Sequence, residues 1–403
     1  MASNDARKEI LLKGALLFSS VDGIVASVLL VPILANISNA FPDAGPWLNQ
    51  LLSLPSLLMI PAIIITGKLA DYVSKKTLLM LGTILFTAGG FGGIFANNIM
   101  DLVWTRALLG IGAGIVYPMA PAMIVHLYQD QERAQMLGWS NACGSVFSFT
   151  LGIGAGYAAL FHWKYAFYFY LIFVLVLIMQ WSALPDFPPE KKDDQIAQAK
   201  LPGHAHEKLG YRVWLTSFDM IVYMTLSMVL LYKLSLFIDN EHIGTSADAG
   251  LATSIQTLAS FLISLGFFQV LQRLKRFTVV LGLVCMALGY FFFSIAHHFS
   301  LVVVAAICLG LSLGIVFPYL MNRVSTAAPH SKKTWAISLL SMSIYLGQYL
   351  SAFFTQFADW VSHGSIRGTF SFAASLLAVW AIIVIVHILA TQRQDCNVSM
   401  LEQ

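Results

Sequence analysis

The chain has 403 residues, of which 58% are hydrophobic and 11% charged, with a net charge of +3. Soluble domains carry about a quarter charged residues, so most of this surface does not face water, and a soluble enzyme or a nucleic-acid-binding domain is excluded. Apolar runs broken by short polar connections match what a bilayer core some 30 Å thick asks of spanning helices, about 20 residues each.

Twelve helices are predicted, over residues 10–36, 47–66, 78–96, 101–127, 136–160, 165–184, 211–237, 247–271, 278–296, 300–321, 335–355 and 369–391. The N-terminal MASNDARKEILLKG runs straight into the first span without a small-residue cleavage site, so no removed signal peptide is expected. The longest polar break, LPDFPPEKKDDQIAQAKLPGHAHEKLG, divides the spans six and six. The expected domains are therefore a six-helix bundle over 1–184, a cytoplasmic linker over 185–210, and a second bundle with a short cytoplasmic tail over 211–403.

Basic residues set the orientation. Arg7, Lys8 and Lys13, then Lys68, Lys75 and Lys76, then Lys191, Lys192, Lys200, Lys208 and Arg212 all fall on one side. Arg273, Lys275 and Arg276, and then Arg323, Lys332 and Lys333, continue that side, whereas the opposite connections hold only Lys164 and Arg367. Both termini and the linker are expected to be cytoplasmic, in a multi-pass protein of the cell membrane. Cys143, Cys285 and Cys308 sit in apolar segments and Cys396 in the tail. None has metal-ligand spacing, so no disulfide, metal or cofactor is expected.

The chain repeats itself. LGIGAGIVYP at 109–118 returns as LGLSLGIVFP at 309–318, and Lys75, Lys76, Leu81 and Gly82 map onto Lys275, Arg276, Leu281 and Gly282. With a slightly smaller offset, SVDGIV at 20–25 meets SFDMIV at 217–222. Duplicated six-helix halves are a recurring transporter design, with substrate held at mid-bilayer between them.

GKLADYVSKKTLL, with Gly67, Leu69, Ala70, Asp71, Lys75 and Lys76, resembles the loop signature between helices 2 and 3 of the major facilitator superfamily, with Tyr72 and Ser74 as departures. RALLGIGAG, with Arg106, Gly110 and Gly112, resembles that family's helix 4 signature. LGIGAGYAALFHWKYAF keeps Gly152, Gly156, Trp163, Lys164 and Phe167 of the helix 5 pattern of its drug/proton antiporters but lacks the proline after Gly152. An acid followed by a proline in helix 1 survives as Asp22 and Pro32. The resemblance implies an all-α polytopic membrane protein of twelve transmembrane helices in two pseudo-symmetric bundles. It also implies that Asp71 and the lysines around it latch the halves in one conformation.

Ionisable residues inside hydrocarbon are expensive, and each invites a functional reading. Among the acids, Asp22 and Asp219 are read as lying well within apolar spans. Asp22, Asp219 and Arg106 are the proton-coupling candidates, because a buried carboxyl holds its proton more readily and a nearby arginine opposes that. Packing alone is the other reading of each acid, and Arg106 could instead hold an anionic substrate. Lys233 is expected to snorkel at the outer end of helix 7.

Candidates for a mixed aromatic and polar cavity are Tyr117, Met119, Met123, Asn141, Gln180, Tyr223, Gln256, Tyr319, Asn322, Tyr345 and Gln348, with helix packing as the alternative for each. Gly110 and Gly114 form a groove for a close neighbour, and Pro118 frees the carbonyl of Gly114. The same pairing recurs as Gly314 and Pro318, so hinges are expected in helices 4 and 10. The function expected is secondary active transport of small amphipathic organic molecules by alternating access, as proton-coupled multidrug efflux by a monomeric antiporter. The alternative is a carrier of organic anions such as carboxylates or bile-salt-like molecules, by uptake or exchange, centred on Arg106. No enzyme motif or phosphate-binding loop appears, so the chain is expected not to be an enzyme.

Overall fold

The computed structural model describes residues 2–19, 28–70, 72–186, 210–328 and 333–401. Asp22, Asp71 and most of the linker lie outside the described residues. The described secondary structure is helical throughout. Helix α1 is Ala2–Ser19, and the first span resumes as a 3-10 turn, Val31–Ile33, and a short helix, Leu34–Ala40. Then come α2 (Trp47–Leu69), α3 (Lys75–Gly92), α4 (Ile99–Leu127) and α5 (Asp130–Phe161). A 3-10 segment, Trp163–Leu171, leads into α6 (Ile172–Ala183).

In the second half, α7 is the pair Tyr211–Ser227 and Val229–Asn240, and α8 is Ser246–Leu265. An eight-residue helix, Phe267–Leu274, precedes α9 (Thr278–Ile295), α10 (Phe299–Ala327), α11 (Lys333–Val361) and α12 (Ile366–Leu401). Among the described residues, nine helical stretches are long and apolar enough to cross a membrane. The twelve predicted spans each find a helical counterpart, with two differences inside the second half. Helix 7 is broken at Met228, and helix 8 stops at Leu265, where Gly266 turns the chain into a separate short helix.

Local chemistry starts these helices where it does. Asn98 and Asp101 cap each other's backbone N–H groups at the start of α4, and Thr245 and Asp248 repeat the device at α8. Ser74 accepts from the Thr77 N–H at the start of α3. Exposed aromatic side chains gather at the two ends, with Trp104, Phe161 and Trp360 at one and Trp181, Tyr211 and Trp214 at the other. Such belts mark membrane–water interfaces.

Each half packs its own core. Phe86, Phe167, Tyr170 and Phe173 anchor the first, and Tyr290, Phe293 and Phe370 the second. The glycines of the repeated phrase bring helices into backbone contact. A β-carbon at Gly110 would fall 2.6 Å from the Pro55 Cα, and one at Gly114 would fall 2.6 Å from the Ala62 Cβ, so α4 lies on α2. Gly310 and Gly314 do the same against Gln256, Ser260 and Ile263, so α10 lies on α8. Both α4 and α10 are 29 residues long and continue as helix past Pro118 and Pro318. The Gly314 carbonyl that Pro318 leaves without a backbone donor accepts from Ser264 Oγ at 3.3 Å.

Candidate functional site

The two halves meet along Val31–Ala40 with the second segment of α7, α2 with α11, and α5 with α8. At the end of the bundle carrying the α1–α2, α5–α6 and α7–α8 connections, the junction is sealed. Ser235 Oγ donates to the Pro32 carbonyl at 2.9 Å and accepts from the Ala35 N–H at 3.2 Å. Asn39 donates to Asp239 at 3.2 Å, and Ser246 donates to the Gly156 carbonyl. Ser254 donates to the Phe149 carbonyl at 2.7 Å, and a β-carbon at Gly250 would overlap the Gly152 carbonyl. Backbone carbonyls, serine hydroxyls and the Asn39–Asp239 pair thus join the halves at this end.

Deeper in the junction, Ser56 Oγ on α2 donates to Gln348 Oε1 on α11 at 2.7 Å. Tyr117 on α4 stands edge-on to Tyr345 on α11, with ring centroids 5.4 Å apart. Beside them a void of about 10 Å³ is lined by Leu52, Ser56, Met228, Leu231, Tyr232 and Gln348, the room of about one water. Met228 is the break in α7. Tyr290 OH secures that break by donating to the Leu226 carbonyl at 2.6 Å and accepting from the Leu230 N–H at 3.2 Å. An amide, hydroxyls, aromatic rings and an interrupted helix thus converge where the halves touch.

Of the predicted cavity residues, Tyr117, Tyr345 and Gln348 come together at this junction. Gln180 does not: it is fully buried within the first half, donating to Ser19 and Thr83 at 2.9 Å each. Tyr223 is buried in the second half with its hydroxyl 3.1 Å from Ser312, and Met119 and Met123 pack in the first-half core. Asn322 is exposed and Gln256 half-buried. The side chain of Asn141 lies outside the described residues.

Arg106 is 1% exposed and its bonds are local. It donates to Tyr170 OH at 3.0 Å and to the Gly89 and Gly90 carbonyls at 3.3 and 3.4 Å, with the Phe167 and Tyr170 rings 5.4 and 5.3 Å from its guanidinium. The ring of Tyr170 fits only because position 90 is glycine. Two hundred residues on, Ala306 replaces the arginine and Tyr290 fills the place of Gly90.

Asp219 on α7 is ion-paired with Arg323 on α10 at 3.2 Å. Tyr319 lies within electrostatic reach of that pair and of Arg276. Of the residues predicted to form a latch, Lys75 is buried and Lys76 donates to the Trp181 and Leu184 carbonyls at 3.0 and 2.8 Å, capping the end of α6. A β-carbon at Gly67 would meet nothing within 4 Å.

Sequence reasoning missed one acid. Asp359 lies within α11, two residues short of its end at Val361, and pairs with Lys233 at 2.6 Å while accepting from Thr369 at 2.8 Å. Helix 11 was expected to end at 355, which put Asp359 in a loop. Lys233, expected to reach toward water, is 8% exposed and paired inside the bundle instead.

A family model described as Major Facilitator Superfamily matches residues 14–239 and 213–400. The chain belongs to the Major Facilitator Superfamily. Its nine apolar helical stretches among the described residues fit a multi-pass membrane protein of that family. The multidrug transporter protein MdtP of Bacillus subtilis (strain 168) is 30% identical over 168 residues, covering 40% of this chain and 30% of that protein. The quinolone resistance protein NorA of Staphylococcus aureus is 27% identical over 172 residues, 42% of each chain. The chain therefore matches less than half the length of either relative. Among solved structures, the nucleoside transporter NupG superposes with a TM-score of 0.74 at 11% identity, over 94% of this chain and 99% of that one, a likeness of fold.

Proposed function

We propose that this superfamily member is a proton-coupled exporter of small amphipathic organic molecules, working by alternating access as a monomer in the cell membrane. The observation that carries the reading is the junction itself. The halves are joined at one end by serine and asparagine contacts, and their middle presents Tyr117, Tyr345, Gln348 and Ser56 without a charged side chain among them. A site with aromatic faces and a few neutral polar groups suits substrates that are partly apolar. The void there holds about one water, so substrate enters only when the halves part. Relatives named for multidrug transport and quinolone resistance support the substrate class.

Asp22 and Asp219 are the proposed proton carriers. Asp219 has Arg323 as a counter-charge at 3.2 Å, and the proposed cycle separates that pair. Asp71, with Lys75 and Lys76, is proposed to latch the halves at the loop between α2 and α3. Gly114 with Pro118 and Gly314 with Pro318 are proposed as hinges of α4 and α10. The anion-carrier reading is weakened by Arg106, whose guanidinium already serves Tyr170 and two carbonyls.

Proteoliposomes test the proposal. Cationic, neutral and anionic amphipathic compounds are offered under imposed pH and voltage gradients, with Asp22→Asn and Asp219→Asn beside the parent. Proton-driven flux that both variants abolish is the expected result. Flux indifferent to every gradient would reduce the protein to a facilitator, and anion-only flux lost with Arg106→Ala would restore the anion carrier.

A further inference from the structure

QVLQRLKRF, at 269–277, is the second copy of the α2–α3 loop, but it carries no acid, so the latch leaves it without a role. In the first copy the protein takes up the lysines, with Lys75 buried and Lys76 bonded to α6. In the second copy Arg273, Lys275 and Arg276 are all exposed.

The helix Phe267–Leu274 has no buried residue. At about 100° per residue, Phe267, Phe268, Val270, Leu271 and Leu274 fall within one arc of roughly 160°, opposite Gln269, Gln272 and Arg273. Phe268 and Leu274 are exposed and Phe267, Val270 and Leu271 only half-buried, so the protein leaves much of the apolar face uncovered. A short helix with a bare apolar face and a polar, basic face lies in the plane of a membrane interface. Both ends of the segment let it turn there. Gly266 separates it from α8, and Lys275 takes a positive φ of 46°, which turns the chain sharply into α9.

We propose that Phe267–Phe277 is a binding site for anionic phospholipid, with the apolar face among the acyl chains and Arg273 and Lys275 on the headgroup. Basic residues beside an interfacial helix attract anionic lipid. Arg276 has a partner inside the protein, so the site rests on the two cations before it. Asp219, whose charge reaches the same end of the bundle, is held by Arg323. The segment continues from α8, which carries Ser254 and Ser246 at the junction of the halves. Lipid bound here therefore holds one end of a helix that must move when the halves part.

The test reads lipid, not transport, so it stands apart from the proposed export. The full chain is reconstituted in phosphatidylcholine vesicles with a minor share of phosphatidylglycerol, and the lipids it retains are counted by native mass spectrometry. The expected result is phosphatidylglycerol enriched on the parent and reduced about fivefold per cation removed in Arg273→Gln/Lys275→Gln. Lys191→Gln/Lys192→Gln, which removes the same charge from the linker, keeps the enrichment. Phe268→Ser keeps the charge but spoils the apolar face, and is expected to lose the enrichment; it decides the matter if the first variant does not stay monodisperse. Equal loss in both charge variants, no enrichment on the parent, or full enrichment in Phe268→Ser overturns the proposal.

Discussion

Lys233 and Asp359 form an ion pair at 2.6 Å between the second segment of α7 and the end of α11. Two positions along, Ser235 bonds Pro32 and Ala35 of the other half. Two residues are about 200° of helical turn, so the two side chains leave opposite faces of the segment. One face belongs to its own bundle and the other to the junction. Asp359→Asn leaves the Lys233 ammonium without its counter-charge. The expected cost is about 2 kcal/mol, below the 3–5 kcal/mol of a fully buried pair because Asp359 retains some solvent contact. Thermal unfolding in detergent checks it, and Lys233→Met/Asp359→Leu should recover most of the loss.

Gly250 and Gly152 bring α8 and α5 together across the junction. Gly250→Ala places a methyl into the Gly152 carbonyl and should cost about 1–3 kcal/mol of contact between the halves. Spin-label distances across the sealed end should lengthen. Gly266→Ala, whose nearest atom would be 3.7 Å away, serves as the silent comparison.

Arg106 uses its fork, its charge and its flat face together, against two carbonyls, a tyrosine hydroxyl and two rings. Arg106→Lys keeps the charge but cannot reproduce the fork or the stacking. It should therefore destabilise the first half nearly as much as Arg106→Ala, by about 3 kcal/mol for a broken buried network. Melting of both variants in detergent reads this, and a lysine variant as stable as the parent would mean that charge alone matters.

Ser56 and Gln348 are bonded at the centre of the junction. Gln348→Leu removes the acceptor and keeps the bulk. The expected outcome is a change in KM for polar substrates of up to about tenfold, near the 1.4 kcal/mol of one hydrogen bond, with the melting temperature little changed. Transport of matched polar and apolar compounds separates the two effects.

Glu241 accepts hydrogen bonds from Arg367 at 3.0 and 2.8 Å, and this partner holds its carboxyl below the usual carboxylate range. A depressed folded value means that the pair contributes stability above the ordinary value of 4.5, and that the contribution disappears as pH falls through the lower, folded value. Glu241→Gln should therefore destabilise the protein near neutral pH and converge with the parent in acid. Melting curves taken across that window show the crossing or its absence.

The duplication, the spans and the glycine contacts were legible in the sequence because each leaves a local or periodic mark. Hydrophobic runs record membrane depth, and glycine four apart records where another backbone comes close. The two basic residues on the sparsely charged side, Lys164 and Arg367, stood out as exceptions to the charge rule. Only tertiary structure shows why they are there: they donate to the carbonyls of Ala96 and Ala296, two hundred positions apart. Hydrogen-bond partners between distant helices leave no periodicity to read. The same holds for Gln180, whose amide turns into its own bundle, for Asp359, which lay past an expected helix end, and for the break in α7. Composition and the internal repeat together marked the chain as a membrane protein of two related halves. Which polar side chains face the junction, and which are spent holding a half together, depended on the rotation of each helix about its own axis, and packing against its neighbours decides that.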